Sequence, residues 1–228
     1  TDCVKMYLDG VPTPARTASM LEPYVPDAQG ATTRGLLHVA PSVLNADVVE
    51  IDRRGYTAKL HAAGDGSIRE GLDAIAAARQ ANPGSDRRHE LAHAGYIAPA
   101  DLPRFAALNA VADQSPYIWY PSPIIDAVAA AVGPERGAHY WPTRTLIESK
   151  APLAAGSDWP SVVPTMDPWA GIEAMVTRSD PYGNGSARLW PEEAIPLADA
   201  LRIYTLGGAA ALRREQDTGS IVVGKSAD

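Results

Sequence analysis

Several things are scarce in this sequence, and each scarcity excludes something. There is a single cysteine, Cys3, so no disulfide can form within the chain. That suits a reducing compartment, and a cytoplasmic location is expected. No apolar run approaches the roughly 20 residues that span a bilayer, so no membrane helix is expected. The first ten residues, TDCVKMYLDG, lack a basic stretch followed by an apolar core and do not read as a signal peptide. They read as a strand from the second or third residue onward, which predicts that the chain is cut from a longer protein. Positive charge is also thin: 20 Lys and Arg against 27 Asp and Glu give a formal net charge of −7. Phosphate contacts need clustered positive charge, so neither nucleic acid nor an acidic membrane is an expected partner.

What is present is ordinary for a folded domain. Of 228 residues, 46% are hydrophobic and 21% charged, enough to bury a sizeable core. Short β-like runs alternate with helical stretches. Strands are expected at Val4–Leu8, Thr57–Ala62, His89–Ala94, Ala110–Gln114 and Pro152–Gly156. In the first, Val4, Met6 and Leu8 share one face, and Cys3, Lys5, Tyr7 and Asp9 the other. Helices are expected at Ser42–Arg54 (with Ser42 as its cap), Ile68–Ala81, Ala100–Leu108, Ile124–Val132, Arg144–Ser149, Pro168–Thr177 and Leu197–Arg213. A loop rich in Pro, Gly, Thr and Ala fills Gly10 to about Ala40; such long loops usually bind something or are disordered. Gly219–Asp228 reads as a turn entering a new strand. Alternating strands and helices predict a parallel α/β sheet or barrel.

Four polar residues stand at or just beyond strand ends: Lys5, His61, His93 and Asp158. A (β/α) barrel carries its active site at the C-terminal strand ends and spends about 31 residues per βα unit. His61 and His93 are 32 residues apart, one unit, and His93 and Asp158 are 65 apart, two units. Lys5 and His61 are 56 apart, one unit plus the long loop. Singly, each has a plain structural reading: a surface lysine, hydrogen-bonded histidines, and an aspartate capping the next helix. His38, His89 and His139 keep that structural reading. Asp65 could hydrogen-bond near a metal or cap its helix. Trp119, Tyr120 and Trp159 follow strand ends and could line an apolar pocket; packing is the stronger reading for the first two.

The segments VKMYLDG, RTASMLEPY, LHAAGD, HELAHAG, QSP, GSDWP, DPWAGIEAMVTR, DALRIYTLGGAAAL and GSIVVGKSAD together resemble the amidohydrolase superfamily. The nearest likeness is to the branch of N-substituted formamide deformylase and the YtcJ-like hydrolases. GSDWP combined with the final G-S-I-x-x-G-K-x-A-D is the specific part. The resemblance implies about the last five strands of a TIM-type (β/α)8 barrel over residues 1–218, with residues 219–228 starting a return into a small β-sandwich domain. It implies that Lys5, often carboxylated in the family, His61 and His93 hold one or two divalent metal ions, zinc foremost, and that Asp158 joins the metal site as catalytic acid/base. Arg16 and Thr17 lie in a stretch resembling a substrate-facing motif, and Trp159 adjoins Asp158; these three are expected to bind substrate, with Asp65 behind the metal ligands.

Zinc favours imidazole nitrogen and carboxylate oxygen and lowers the pKa of bound water to about 7. The activity the resemblance implies is hydrolysis of a non-peptide C–N bond in a small amide or formamide, which a metal-activated water can perform. Two departures stand out: the family's first-strand His-x-His pair is absent from the chain, and Ala92 replaces the usual Glu before the sixth-strand histidine. Two alternatives remain open. One is a deaminase of the same superfamily. The other is a fragment or degenerate homologue that folds without catalysis and associates, as a homo-oligomer, through exposed parallel edges.

Overall fold

The structure, a computed structural model, describes residues 2–161, 163–183 and 185–226. Its centre is a five-stranded parallel sheet: β1 (Cys3–Tyr7), β2 (Thr57–Ala62), β3 (Glu90–His93), β4 (Val111–Gln114) and β5 (Leu153–Ala155). Spatial order equals chain order, β1-β2-β3-β4-β5. Lys5 pairs with Lys59, Lys59 with Glu90, and Asp113 with Ala154. The five expected strands are all present, each within two residues of its predicted ends.

Helices form the crossovers: α1 (Pro41–Arg53), α2 (Asp65–Ala81), α3 (Leu102–Leu108), α4 (Pro123–Val132), α5 (Pro134–Ala138) and α6 (Thr143–Glu148), followed by α7 (Pro168–Thr177), α8 (Leu197–Arg202) and α9 (Gly208–Ala211). One face of the sheet is apolar. Leu8, Leu60, Leu91 and Ala112 pack there against Leu44 and Val48 of α1, Ile68, Leu72 and Ile75 of α2, and Phe105 of α3. Burial of each such Leu, Ile or Phe contributes about 1.5–3 kcal/mol. The opposite face carries Lys5, Lys59, Glu90 and Asp113, which line a cavity. Sequential order, parallel strands and one helical face make an open arc of a (β/α) barrel.

The polar interior is an ion cluster. Lys59 Nζ lies 2.9 Å from Glu90 Oε2 and 2.5 Å from Asp113 Oδ2. Burial disfavours the Lys59 ammonium, but the Asp113 and Glu90 carboxylates outweigh it and raise its pKa. A second cluster ties α1 and α2 to the sheet at the N-terminal end of β3. His89 is fully buried; its Nδ1 accepts from Ala58 N at 3.0 Å and its Nε2 faces Asp52 Oδ1 at 2.9 Å. Its structural reading therefore fits the fold.

Several boundaries differ from expectation. Ser42 does not cap α1; the helix starts at Pro41 after Ala40, without a side-chain cap, because proline at a first turn has the right φ and lacks an N–H that would be orphaned anyway. Helix α2 starts at Asp65, three residues early, since tertiary contacts override its glycines. The predicted long helix Leu197–Arg213 is interrupted by a π-helical turn, Ile203–Gly207. Gly207 lies there against the Leu153 carbonyl, where a Cβ would stand 2.2 Å from the oxygen. Residues Gly219–Ser226 hold turns rather than the expected strand, because a strand needs a partner ladder and none of the described residues supplies one. Ala227 and Asp228 of that motif lie outside the described residues. No helix among the described residues is long and apolar enough to cross a membrane.

Candidate metal centre

His61 and His93 come from adjacent strands and end side by side. Their rings meet edge to face with centroids 4.5 Å apart. His61 faces the interior by simple alternation with Lys59. His93 does not. Glu90 and Ala92 face the cavity, so alternation would send His93 to the helical side with Leu91. Instead His93 has φ +74° and Ala94 φ +45°. This uncommon left-handed pair ends β3 and brings the His93 imidazole to the cavity wall. Burial, then the neighbouring His61, push the His93 pKa down. Its ring is neutral at pH 7 and holds a lone pair for a metal.

Lys5 lies on β1 and lines the same cavity of about 320 Å³, together with Glu90, His93, Asp113 and Asp158. Burial, then the Lys59 charge, lower its pKa. Asp158 stands three residues past β5 in a left-handed turn, φ +56°, and its carbonyl accepts from Ser161 N at 2.9 Å. It caps no helix: α7 starts ten residues later and is capped by Asp167, whose Oδ1 accepts from Trp169 N at 3.1 Å. Asp158 is close enough that its charge offsets part of the lowering that burial imposes on Lys5 and His93. Still, no three His, Cys, Asp or Glu residues cluster tightly enough to hold a metal among the described residues. The donor set that fits a divalent ion is the pair of imidazoles, with Lys5 and Asp158 lining the cavity beside His93.

The other expected residues fall elsewhere. Arg16 donates its backbone N–H to Thr13 O. Thr17 Oγ1 accepts from Val11 N at 3.1 Å, which folds the loop on itself. Trp159 is about half exposed. None of the three lines the cavity. Asp65 Oδ1 accepts from Leu21 N at 2.8 Å, so it anchors the long loop to the start of α2. Trp119 is buried and stacks on Trp141.

The carboxylate that touches a candidate ligand is Asp9, which spacing does not single out. Its Oδ1 lies 3.1 Å from His61 Nδ1, and it is almost fully buried. The only sequence signal for it is its shared strand face with Lys5. The Gly10–Ala40 loop is ordered by this group and others: Ser19 N donates to Asp9 Oδ2 at 2.9 Å, and Tyr24 OH to Ala18 O at 2.8 Å.

The model of an amidohydrolase family matches residues 1–228. LONG AFTER FAR-RED 3 of Arabidopsis thaliana is 31% identical over 227 residues, 99% of this chain and 37% of that protein. The YtcJ protein of Bacillus subtilis (strain 168) is 27% identical over 226 residues, 99% of this chain and 40% of that one. The crystal structure of a metal-dependent hydrolase from Pyrococcus furiosus superposes with a TM-score of 0.76 at 25% identity, covering 98% of this chain and 42% of that one. The chain thus spans about two fifths of the length of each.

Proposed function

We propose, from the premise that this chain belongs to the amidohydrolase family, that it supplies the lysine, two histidines and aspartate of a metal-dependent hydrolase acting on a small amide or formamide. The observation that carries this reading is the juxtaposition of His61 and His93 at neighbouring strand ends, beside a cavity lined by Lys5 and Asp158. Lys5, His61 and His93 would hold the ion, zinc before other metals because imidazole and carboxylate donors suit it. Bound there, the ion supplies Lewis acidity and acidifies water.

The chain's own residues do the rest. Carboxylation of Lys5 would join the neutral Nζ amine to CO₂ with loss of one proton, the ammonium form having first given up another, and lengthen the side chain into a carboxylate. Asp158, exposed in the cavity wall, takes a proton from the water that adds to the substrate carbonyl carbon. It returns that proton to the nitrogen as the C–N bond breaks, leaving a carboxylic acid and an amine. Arg16, Thr17 and Trp159 would reach substrate only if their loops shift, since none lines the cavity.

A second reading is favoured by two observations: no three-ligand cluster forms among the described residues, and β1 and β5 are each paired on one side. In that reading the chain folds without catalysis and associates with a second copy through an edge.

The test is elemental analysis of zinc-supplemented protein, followed by assay of N-formyl and N-acyl amines with the parent and Asp158→Asn. Bound zinc and hydrolysis that Asp158→Asn lowers at least 100-fold, the low end for general acid–base catalysis, support the first reading. Absence of zinc sinks it. An inactive chain that sediments as a dimer supports the second.

A further inference from the structure

Asp9 gathers more hydrogen bonds than any other carboxylate near the cavity. Oδ1 faces His61 Nδ1 at 3.1 Å and accepts from Ala63 N at 3.0 Å. Oδ2 accepts from Ser19 N at 2.9 Å, Gly64 N at 3.0 Å and Ser67 Oγ at 2.7 Å. A carboxylate offers about four lone-pair sites, and these five contacts use them fully. Three of the five partners, the Ser19, Ala63 and Gly64 N–H groups, can only donate, at least one of them to each oxygen, while Ser67 shares its one hydroxyl proton between Asp9 Oδ2 and Gly64 O. The carboxylate therefore accepts throughout, and the proton between it and His61 sits on Nδ1.

That assignment has a consequence for His61. A neutral imidazole carries one N–H and one lone pair. With Nδ1 protonated, Nε2 holds the lone pair. The same carboxylate also receives the loop, through Ser19, and the start of the 17-residue helix α2, through Ser67 and the backbone before it. The helix N-terminus favours the negative charge.

We propose that Asp9 is a positioning residue. It fixes His61 as the Nδ1–H tautomer, presents Nε2 to a metal ion, and ties the Gly10–Ala40 loop and α2 to that ligand through one buried carboxylate. The proposal rests on His61 being a metal ligand, as proposed above. Its tautomer half stands without any metal.

Asp9→Asn is the informative substitution. The Oδ2 side has three donors and takes the amide oxygen. The NH₂ then faces His61 and the Ala63 N–H and can only donate, so the Ala63 bond is lost and His61 must accept at Nδ1, which moves its proton to Nε2. Zinc affinity, measured by chelator competition, is expected to fall about 10- to 100-fold, as for loss of other partners of metal-bound histidines. The visible spectrum of the cobalt-substituted protein should change with it. Ser67→Ala removes an Oδ2 bond but leaves Oδ1 in place, and should keep both close to the parent.

Nitrogen-15 NMR of the metal-free parent, with His61 assigned through His61→Gln, should show the Nδ1–H tautomer. An Nε2–H tautomer there overturns the proposal, whether or not Asp9→Asn folds. So does a folded Asp9→Asn protein that binds zinc as tightly as the parent. A parent that binds no zinc sinks the hydrolase reading instead, and the NMR result then decides Asp9 alone.

Discussion

His61 and His93 touch across two strands, ring edge to ring face at 4.5 Å, although one is placed by plain β alternation and the other by a backbone outlier. His93 reaches the cavity because its φ is +74°. A strained backbone that persists at a strand end is a common mark of a functional position. Here it delivers a neutral imidazole beside a second one.

Loss of either ring should remove a ligand outright. His61→Ala and His93→Ala are each expected to weaken zinc binding by more than the ~10- to 100-fold typical of an outer-shell partner. Calorimetric titration of zinc into each variant checks this. If either variant binds zinc like the parent, that histidine is not a ligand.

His89 makes stability depend on acid. Burial, then the Arg79 charge, push its pKa from an ordinary 6.5 down to about 4. Asp52 on α1 faces it directly, with Arg79 on α2 and Arg87 in the loop before β3 nearby. Between pH 6.5 and 4 the unfolded chain binds the proton and the folded one does not, so stability falls as pH falls across that window. Over the whole window the loss from His89 is on the order of 3 kcal/mol. Urea unfolding of the parent and His89→Gln at pH 7, 5.5 and 4.5 should show the variant losing less. Parallel losses in both would count against the assignment.

Lys59 holds two carboxylates that cannot be left alone. Lys59→Met should cost about 3 kcal/mol, because removing one partner strands buried charge. Converting Glu90 to Gln and Asp113 to Asn in the same chain should recover much of that. Equal destabilisation of the single and triple variants, by urea midpoint, would show that the packing of Lys59 matters more than its charge.

Gly64 has φ −91°, which any residue can adopt, so its need for glycine is steric. A Cβ there would stand 2.1 Å from the Ser19 carbonyl oxygen. Gly64→Ala should cost about 1–3 kcal/mol as an overpacked contact and speed hydrogen exchange at Ser19. Unchanged stability with unchanged exchange would mean that the loop moves aside freely.

Much of this was readable along the chain. Alternation in Val4–Leu8 placed Lys5 and Leu8 on opposite faces, as found. The strands at Thr57–Ala62 and Ala110–Gln114 needed only local pattern, because period-2 side-chain direction is a local property of the backbone. Barrel spacing brought His61 and His93 into one group before any coordinates. The helix at Leu197–Arg213 was less readable: its apolar pattern persists across the π turn, and only the close approach of Gly207 to β5 shows where the ladder slips.

Lys5, His93 and Asp158 line one cavity and His61 touches His93 because the sequence sets a strand or its end every one or two βα units. The tertiary structure alone decided that His93 turns inward against its alternation, that Asp158 shares its cavity without capping a helix, and that Asp9 meets His61. The physical reason is range. Asp9 and His61 are 52 residues apart, and their contact depends on the register that sets Tyr7 opposite His61. No local propensity encodes which buried donors a carboxylate will find once two strands are paired.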